Sequence, residues 1–399
     1  MLKDHISPGG SDKKSVLILF LFIFQMLGVR IFQGIGITLS IIIFLMLIGR
    51  VRLSGERPLV VFFISMLCGL LQLCKGTDIA MTINISFQIV NAILLAYYYA
   101  ERELVKDLSP AIKIFVTQAL LALFVVTLLP ESYFKQEAGI LGKHFYYVFY
   151  RMNHYVLPGI PRLSGWAWEP GCLQMLLNLY LFLVIQDKSN KMKDLWWIVI
   201  LIMATGSTSG YAILMLNFVV YGVSRSKSNF FLVLVFGLMV AILILPFIWD
   251  NISSKLMLGS DEINTSGIIR YRDFYMGLIC LRDYPLVGID MTNLAINQIY
   301  QAIEHEAIGL TKANDNWYQY FTVADGGYTN GLFGITMMWG VFGIYLLLKF
   351  AKCSLWKQFS VKYWYVVPTI IALSLISEPI SNTAFFWFLC IYDVVNKKK

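Results

Sequence analysis

The sequence predicts an all-α polytopic membrane protein of about twelve transmembrane helices with two large extracytoplasmic loops. Three observations predict it. Of the 399 residues, 58% are hydrophobic, against roughly 45–50% in an ordinary soluble domain. Only 14% are charged, against about 25% normally. Long apolar runs recur along the whole chain, and twelve spans of ~20 residues each would occupy a share close to the hydrophobic fraction. Together these exclude a soluble enzyme, a secreted disulfide scaffold and a disordered chain. The net charge of +8 fits cytoplasmic anchors of a membrane protein, with no nucleic-acid partner.

The expected spans lie at about 15–29, 32–49, 59–74, 80–100, 111–130, 170–186, 195–206, 208–223, 229–249, 329–348, 363–377 and 379–394. The seventh and eighth are short. Only Thr205-Gly-Ser-Thr-Ser-Gly210 separates them, so the stretch reads as two spans or as one broken helix. Charge orients the set. With the N-terminus inside, 20 of the 32 basic residues fall in the inner segments and 11 in the outer ones, with Lys113 inside the fifth span. The outer segments are also much longer, so the asymmetry per residue is larger still. Both termini are therefore expected on the cytoplasmic side of a multi-pass protein. A second apolar run follows the first at once, which argues against a cleaved signal peptide.

Two outer loops are long, 131–169 and 250–328. Their aromatic and apolar content argues for folding against the outer membrane face. The chain otherwise reads as one integral membrane domain, 1–399. Six cysteines, at 68, 74, 172, 280, 353 and 390, show no metal-ligand spacing and read as small buried hydrophobes. Cys74 and Cys172 both lie near the outer face, where a disulfide would be feasible.

The residues able to do chemistry cluster in a few places. Arg162-Leu-Ser-Gly165-Trp-Ala-Trp-Glu169-Pro170 leads into the sixth span. Pro170 suits a first helical turn, and Glu169 before it suits the positive end of the dipole. Glu169 is equally placed to act as a general base at the membrane surface. Behind it, Gln174 and Asn178 form a polar stripe that faces a partner helix or an aqueous cleft. Ser266-Gly-Ile-Ile-Arg270-Tyr-Arg272-Asp273-Phe274 opens an amphipathic helix. Arg270 and Arg272 lie about 200° apart around it, so they do not share a face, whereas Arg270 shares one with Asp273 and Phe274. Guanidinium groups suit bidentate phosphate binding, and an interfacial anchoring role is the plainer reading of each. Asp283-Tyr-Pro285-Leu286-Val-Gly288 reads as a turn. Asn330 either caps the tenth span or bonds a ligand, and Gly340 and Gly343 read as close helix packing. Tyr146, Tyr147, Trp166, Trp168, Trp317, Tyr318 and Tyr320 are sugar platforms or members of an interfacial belt. Of the four histidines, His5 lies in the N-terminal tail, and His144, His154 and His305 lie in the outer loops. No nucleotide-binding glycine loop, serine-hydrolase elbow, zinc motif or D-x-D pair occurs. An enzyme built this way would use a pre-activated substrate, without a metal or other cofactor.

Four blocks resemble the bacterial O-antigen polymerase and ligase superfamily. They are Arg162, Gly165, Glu169 and Pro170; Thr205 to Gly210; Arg270 to Phe274 followed by Pro285-Leu286-Val-Gly288; and Asn330 followed by Gly340 and Gly343. Together with the span count and the long outer loops, the resemblance covers about residues 15–395. Thr208 stands where many members carry arginine. Thr329 stands where ligases carry the histidine of a His-Asn pair, which favours a polymerase. The resemblance implies a metal-independent membrane glycosyltransferase of GT-C-like fold in the bacterial cytoplasmic (inner) membrane. It would move a growing glycan from undecaprenyl diphosphate to the non-reducing end of a new lipid-linked repeat unit. The product would be O-antigen, capsule or another exopolysaccharide. A flippase and a chain-length regulator are the implied partners, besides the lipid bilayer. Arg162 and Arg270 would neutralise the diphosphate, with Arg272 in reserve. Glu169 would be the base, with His154 or His305 behind it. Asn330, Trp166 and Trp168 would contact substrate. The alternatives are a ligase of the same superfamily and a non-enzymatic lipid-linked oligosaccharide flippase.

Overall fold

The structure is a computed structural model that describes residues 12–28, 35–51, 57–136, 142–157, 159–187, 195–225, 265–289, 330–378, 380 and 383–396. The chain is mostly helical. α1 (Lys13–Met26) begins where Asp12 accepts the Lys14 amide at 3.1 Å, satisfying one of the donors that a helix start leaves open. Its buried residues Ile18, Leu19, Phe22, Ile23 and Met26 follow helical spacing and form one face. α2 (Ile35–Ile48), α3 (Arg57–Cys74), α4 (Ile79–Tyr98) and α5 (Leu104–Leu128) follow. α4 is capped by Asp78, which accepts Met81 N at 2.9 Å.

The segment after α5 is not helical. β1 (Lys135–Gln136), β2 (Lys143–Phe145), β3 (Phe149–Leu157) and β4 (Ile160–Leu163) form one antiparallel sheet in that order. Lys143 bonds Glu131 in front of the sheet and holds its carboxyl below the usual range. The expectation of an all-α chain is thus corrected over 131–169. Aromatic residues are enriched in strands as well as in interfacial belts, so they do not by themselves mark either. The β2–β3 turn places Tyr146 and Tyr147 at φ 50° and 56°, positions that glycine or asparagine usually fill and that announce hairpins.

α6 (Pro170–Gln186) is buried on all sides over most of its length, so it forms the centre of the bundle. α7 (Trp196–Ala204) and α8 (Thr208–Arg225) come next, then α9 (Thr265–Asp283), α10 (Gly331–Ala351), α11 (Trp356–Phe359), α12 (Val366–Ser377) and α13 (Ala384–Val395). Residues 195–223 are therefore two helices, with Thr205 closing α7. Within 250–328, α9 lies where the amphipathic pattern from Ser266 places a helix.

Among the described residues, three stretches are long and apolar enough to cross a membrane: Ile79–Tyr98, Leu104–Leu128 and Gly331–Phe359. Six shorter apolar helices accompany them. This fits an α-helical membrane protein, but the count of twelve full spans is not reached. The reason is partly length. α12 and α13 have 12 residues each, about 18 Å of helix against a hydrocarbon layer of about 30 Å. The expected span at 229–249 lies outside the described residues.

The third long stretch is also broken. Gly340 has φ 55° and ψ −136° inside α10. The turn Pro285–Gly288 inserts there: Val341 N donates to Pro285 O at 2.7 Å and Ile289 N to Met337 O at 2.8 Å. Lys75 Nζ donates to Met338 O at 2.5 Å. The Met337 and Met338 carbonyls before the break and the Val341 amide after it are thereby satisfied. Gly340 thus marks a break in α10 as well as a tight contact.

Exposed apolar stripes run along the bundle. Leu59, Phe62, Phe63, Met66, Leu67, Leu70 and Leu73 form one on α3. Ile41, Ile42, Leu45 and Ile48 form another on α2. Such faces suit lipid better than water.

Candidate functional site

Two ends of the bundle can be distinguished by their contacts. At one end, Ser15 Oγ and Tyr98 Oη lie 2.6 Å apart, Tyr392 Oη donates to Tyr99 O at 3.1 Å, and Asn396 Nδ2 donates to Ala96 O at 2.8 Å. At the other end, the Trp168 amide donates to Leu27 O at 3.0 Å. Arg162 Nε donates to Thr205 O at 3.1 Å. The sheet and the starts of α6 and α10 belong to this second end, and so do the ends of α7 and α12.

Glu169 is the N-cap residue of α6, half-buried, and its side chain makes no capping bond. Its carbonyl accepts Cys172 N at 3.2 Å. A second carboxylate, not among the expected site residues, packs against this first turn. Glu378, at the end of α12, is 4% exposed, and its Oε2 accepts Cys172 Sγ at 3.5 Å. A methyl group on Gly171 would lie 1.6 Å from Glu378 Oε1. Glycine there lets the carboxylate rest on the first turn of α6, where the dipole favours an anion. The signal for Glu378 was present as a second Glu-Pro pair, Glu378-Pro379, echoing Glu169-Pro170.

The main chain of Glu378 also meets α10. A methyl group on Gly331 would lie 2.6 Å from Glu378 O. Beside it, Asn330 caps α10, its Oδ1 accepting Leu332 N at 3.1 Å and Phe333 N at 3.3 Å. The capping role is therefore filled. Asn330 N donates to Oδ2 of the fully buried Asp273 at 3.1 Å. Asp273 is on α9, one turn after Arg270. Phe274 packs edge-on against Phe333 with centroids 5.0 Å apart.

The remaining expected residues are placed as follows. Arg162, half-buried on β4, ties to the end of α7, and Gly206 (φ 63°) gives it room: a methyl there would lie 3.0 Å from Arg162 Nε. A cation at a helix C-terminus is favourable in itself. Arg270 and Arg272 lie on α9, with side chains outside the described residues. His305, Trp317, Tyr318 and Tyr320 also lie outside them. His154 is exposed on β3. His144 is buried, stacked on Tyr147 at 4.0 Å. The Trp166 ring meets Phe24 and Phe115 edge-on at 5.7 and 5.8 Å, and its amide donates to Gln118 Oε1 at 3.1 Å. Trp168 packs over Gly28. Both tryptophans thus pack against the end of α1.

The polar stripe of α6 faces helices. Gln174 Nε2 donates to Ser374 Oγ at 3.2 Å, Asn178 Nδ2 to Gln174 Oε1 at 3.0 Å and to Gly210 O at 3.2 Å. Asn217 Nδ2 donates to Asn178 Oδ1 at 3.1 Å. These bonds join α6 to α8 and α12, the usual use of polar side chains inside a bundle.

All six cysteines are free, Cys74 exposed and Cys172 buried. Among the described residues, no group of three or more His, Cys, Asp or Glu could hold a metal ion. No family model matches the chain, and no curated protein matches it.

Proposed function

We propose that the protein is a polysaccharide polymerase of the bacterial cytoplasmic membrane. It transfers a growing glycan from undecaprenyl diphosphate to the non-reducing end of a new lipid-linked repeat unit. One observation carries this reading: the sequence blocks that resemble the O-antigen polymerase superfamily meet at one end of the bundle. Arg162 of the first bonds Thr205 of the second. Glu169 of the first and Asn330 of the fourth flank Glu378 through Gly171 and Gly331. Asn330 bonds Asp273 of the third, on the helix that carries Arg270. Pro285 and Gly288 of the third dock into the break at Gly340 of the fourth.

In this reading the chain crosses the membrane several times, in a GT-C-like arrangement. The meeting point lies on the outer face, and both termini are cytoplasmic. The acceptor hydroxyl gives its proton to Glu169 as its oxygen attacks the anomeric carbon. The bond from that carbon to the diphosphate oxygen breaks. The arginines stabilise the charge gathering on the leaving diphosphate.

The test replaces Arg162, Arg270 and Glu169 singly by alanine in cells lacking the native gene. Polymer length is read on gels. Ladders should shorten or vanish, and wild-type ladders from all three variants would reject the assignment.

The break at Gly340 favours a second reading. Discontinuous helices are common in transporters. Movement of lipid-linked oligosaccharide across liposomes without any polymer formed would support a flippase instead.

A further inference from the structure

We infer that Glu378 is a positioning residue for this transfer site, setting the starts of α6 and α10 at a fixed separation. The inference rests on the polymerase reading. Glu378 is the point where the two helix starts are joined. Its carboxylate seats on Gly171 and Cys172 of α6, and its carbonyl seats on Gly331 of α10. The two N-cap residues stand just before these seats, Glu169 two residues before Gly171 and Asn330 one residue before Gly331. The distance between a base at 169 and any group held at 330 therefore passes through Glu378.

The chemistry of the residue supports a dedicated role. A buried carboxylate among apolar helix ends is costly unless the site is built for it. Here Gly171 admits the carboxylate and Gly331 admits the main-chain carbonyl of the same residue. A side chain at either would collide with Glu378 atoms at 1.6 and 2.6 Å. A simple packing contact would be made more cheaply by an apolar side chain.

The experiment uses the full-length protein with its own lipid-linked repeat unit. It compares Glu378→Ala, Glu378→Gln and Gly171→Ala. The last keeps the glutamate but displaces its carboxylate, the movable end of a flexible side chain. Misplacing reacting groups by about 1 Å lowers turnover about a hundredfold. Glu378→Ala and Gly171→Ala should therefore lose kcat by about that factor, with KM within about threefold. Glu378→Gln, of the same shape, should stay within about fivefold of wild type. Wild-type kcat in Glu378→Ala would overturn the inference. So would a Gln variant as impaired as the Ala variant, since charge and not position would then matter.

A second readout does not depend on activity. Cys172, bonded to Glu378, should resist alkylation by a maleimide in wild type and Glu378→Gln, and label readily in the other two variants. Equal protection in all four proteins would overturn the inference. If the wild type makes no polymer, the polymerase reading falls, and the labelling pattern still decides whether Glu378 seats the turn.

Discussion

Asp273 and Asn330 lie 57 positions apart in sequence and share a hydrogen bond, so each can be tested through the other. Asp273→Ala leaves the Asn330 amide buried without its acceptor, which should cost about 1–3 kcal/mol. Asn330→Ala keeps that bond but removes the cap over Leu332 and Phe333, at about 1 kcal/mol. Asn330→Asp should restore most of the loss. Denaturant unfolding in detergent measures all three, and an Asp273→Ala protein as stable as wild type would reject the role of the carboxylate. Asn330 was legible in sequence as either a cap or a ligand, because both use the same amide oxygen. In the fold that oxygen caps α10, accepting from Leu332 N and Phe333 N. Glu378 carries only a weak signal, its Glu-Pro pair; its role is not legible, because its partners Gly171 and Cys172 lie some 200 residues away and glycine shows no preference for a carboxylate until the two are brought together.

At the scale of elements, the break in α10 makes a firm prediction. Gly340 has a backbone conformation that side chains rarely adopt, and a methyl group would lie 2.3 Å from Pro285 O. Gly340→Ala should therefore cost at least about 2 kcal/mol, from backbone strain and from displacing the turn. Gly36→Ala, at the start of α2 with nothing within 4 Å, should be neutral or stabilise by up to about 1 kcal/mol. Thermal unfolding of the two variants gives the contrast, and equal melting temperatures would contradict it. The apolar helices α1 to α6 were readable from composition, since runs of apolar residues with few breakers form helices and little else. The sheet at β1 to β4 was not, because strand pairing depends on neighbours rather than on runs, and its tight turn carries two tyrosines instead of glycine. The break at Gly340 was read only as packing, because a glycine for close approach and a glycine for positive φ look the same in sequence.

At the scale of the whole molecule, the apolar stripes on α2 and α3 suit a nonaqueous surrounding. A lysine at Leu67, 58% exposed in the α3 stripe, should oppose membrane insertion by about 2.5–3.5 kcal/mol if the site lies near mid-span. The protein recovered in the membrane fraction measures it, and undiminished recovery would count against a lipid-facing α3. By itself the sequence determined the class of environment and the helical character, because hydrophobic fraction and scarcity of charge act locally and additively along the chain. It also singled out the short polar blocks around Arg162, Thr205, Arg270 and Asn330. Only the tertiary structure decided how those blocks meet, that Glu378 joins two of them, and that the apolar runs divide into long helices, short helices and a broken one. Those outcomes depend on contacts between distant residues and on single backbone angles, and neither leaves a periodic trace in the sequence.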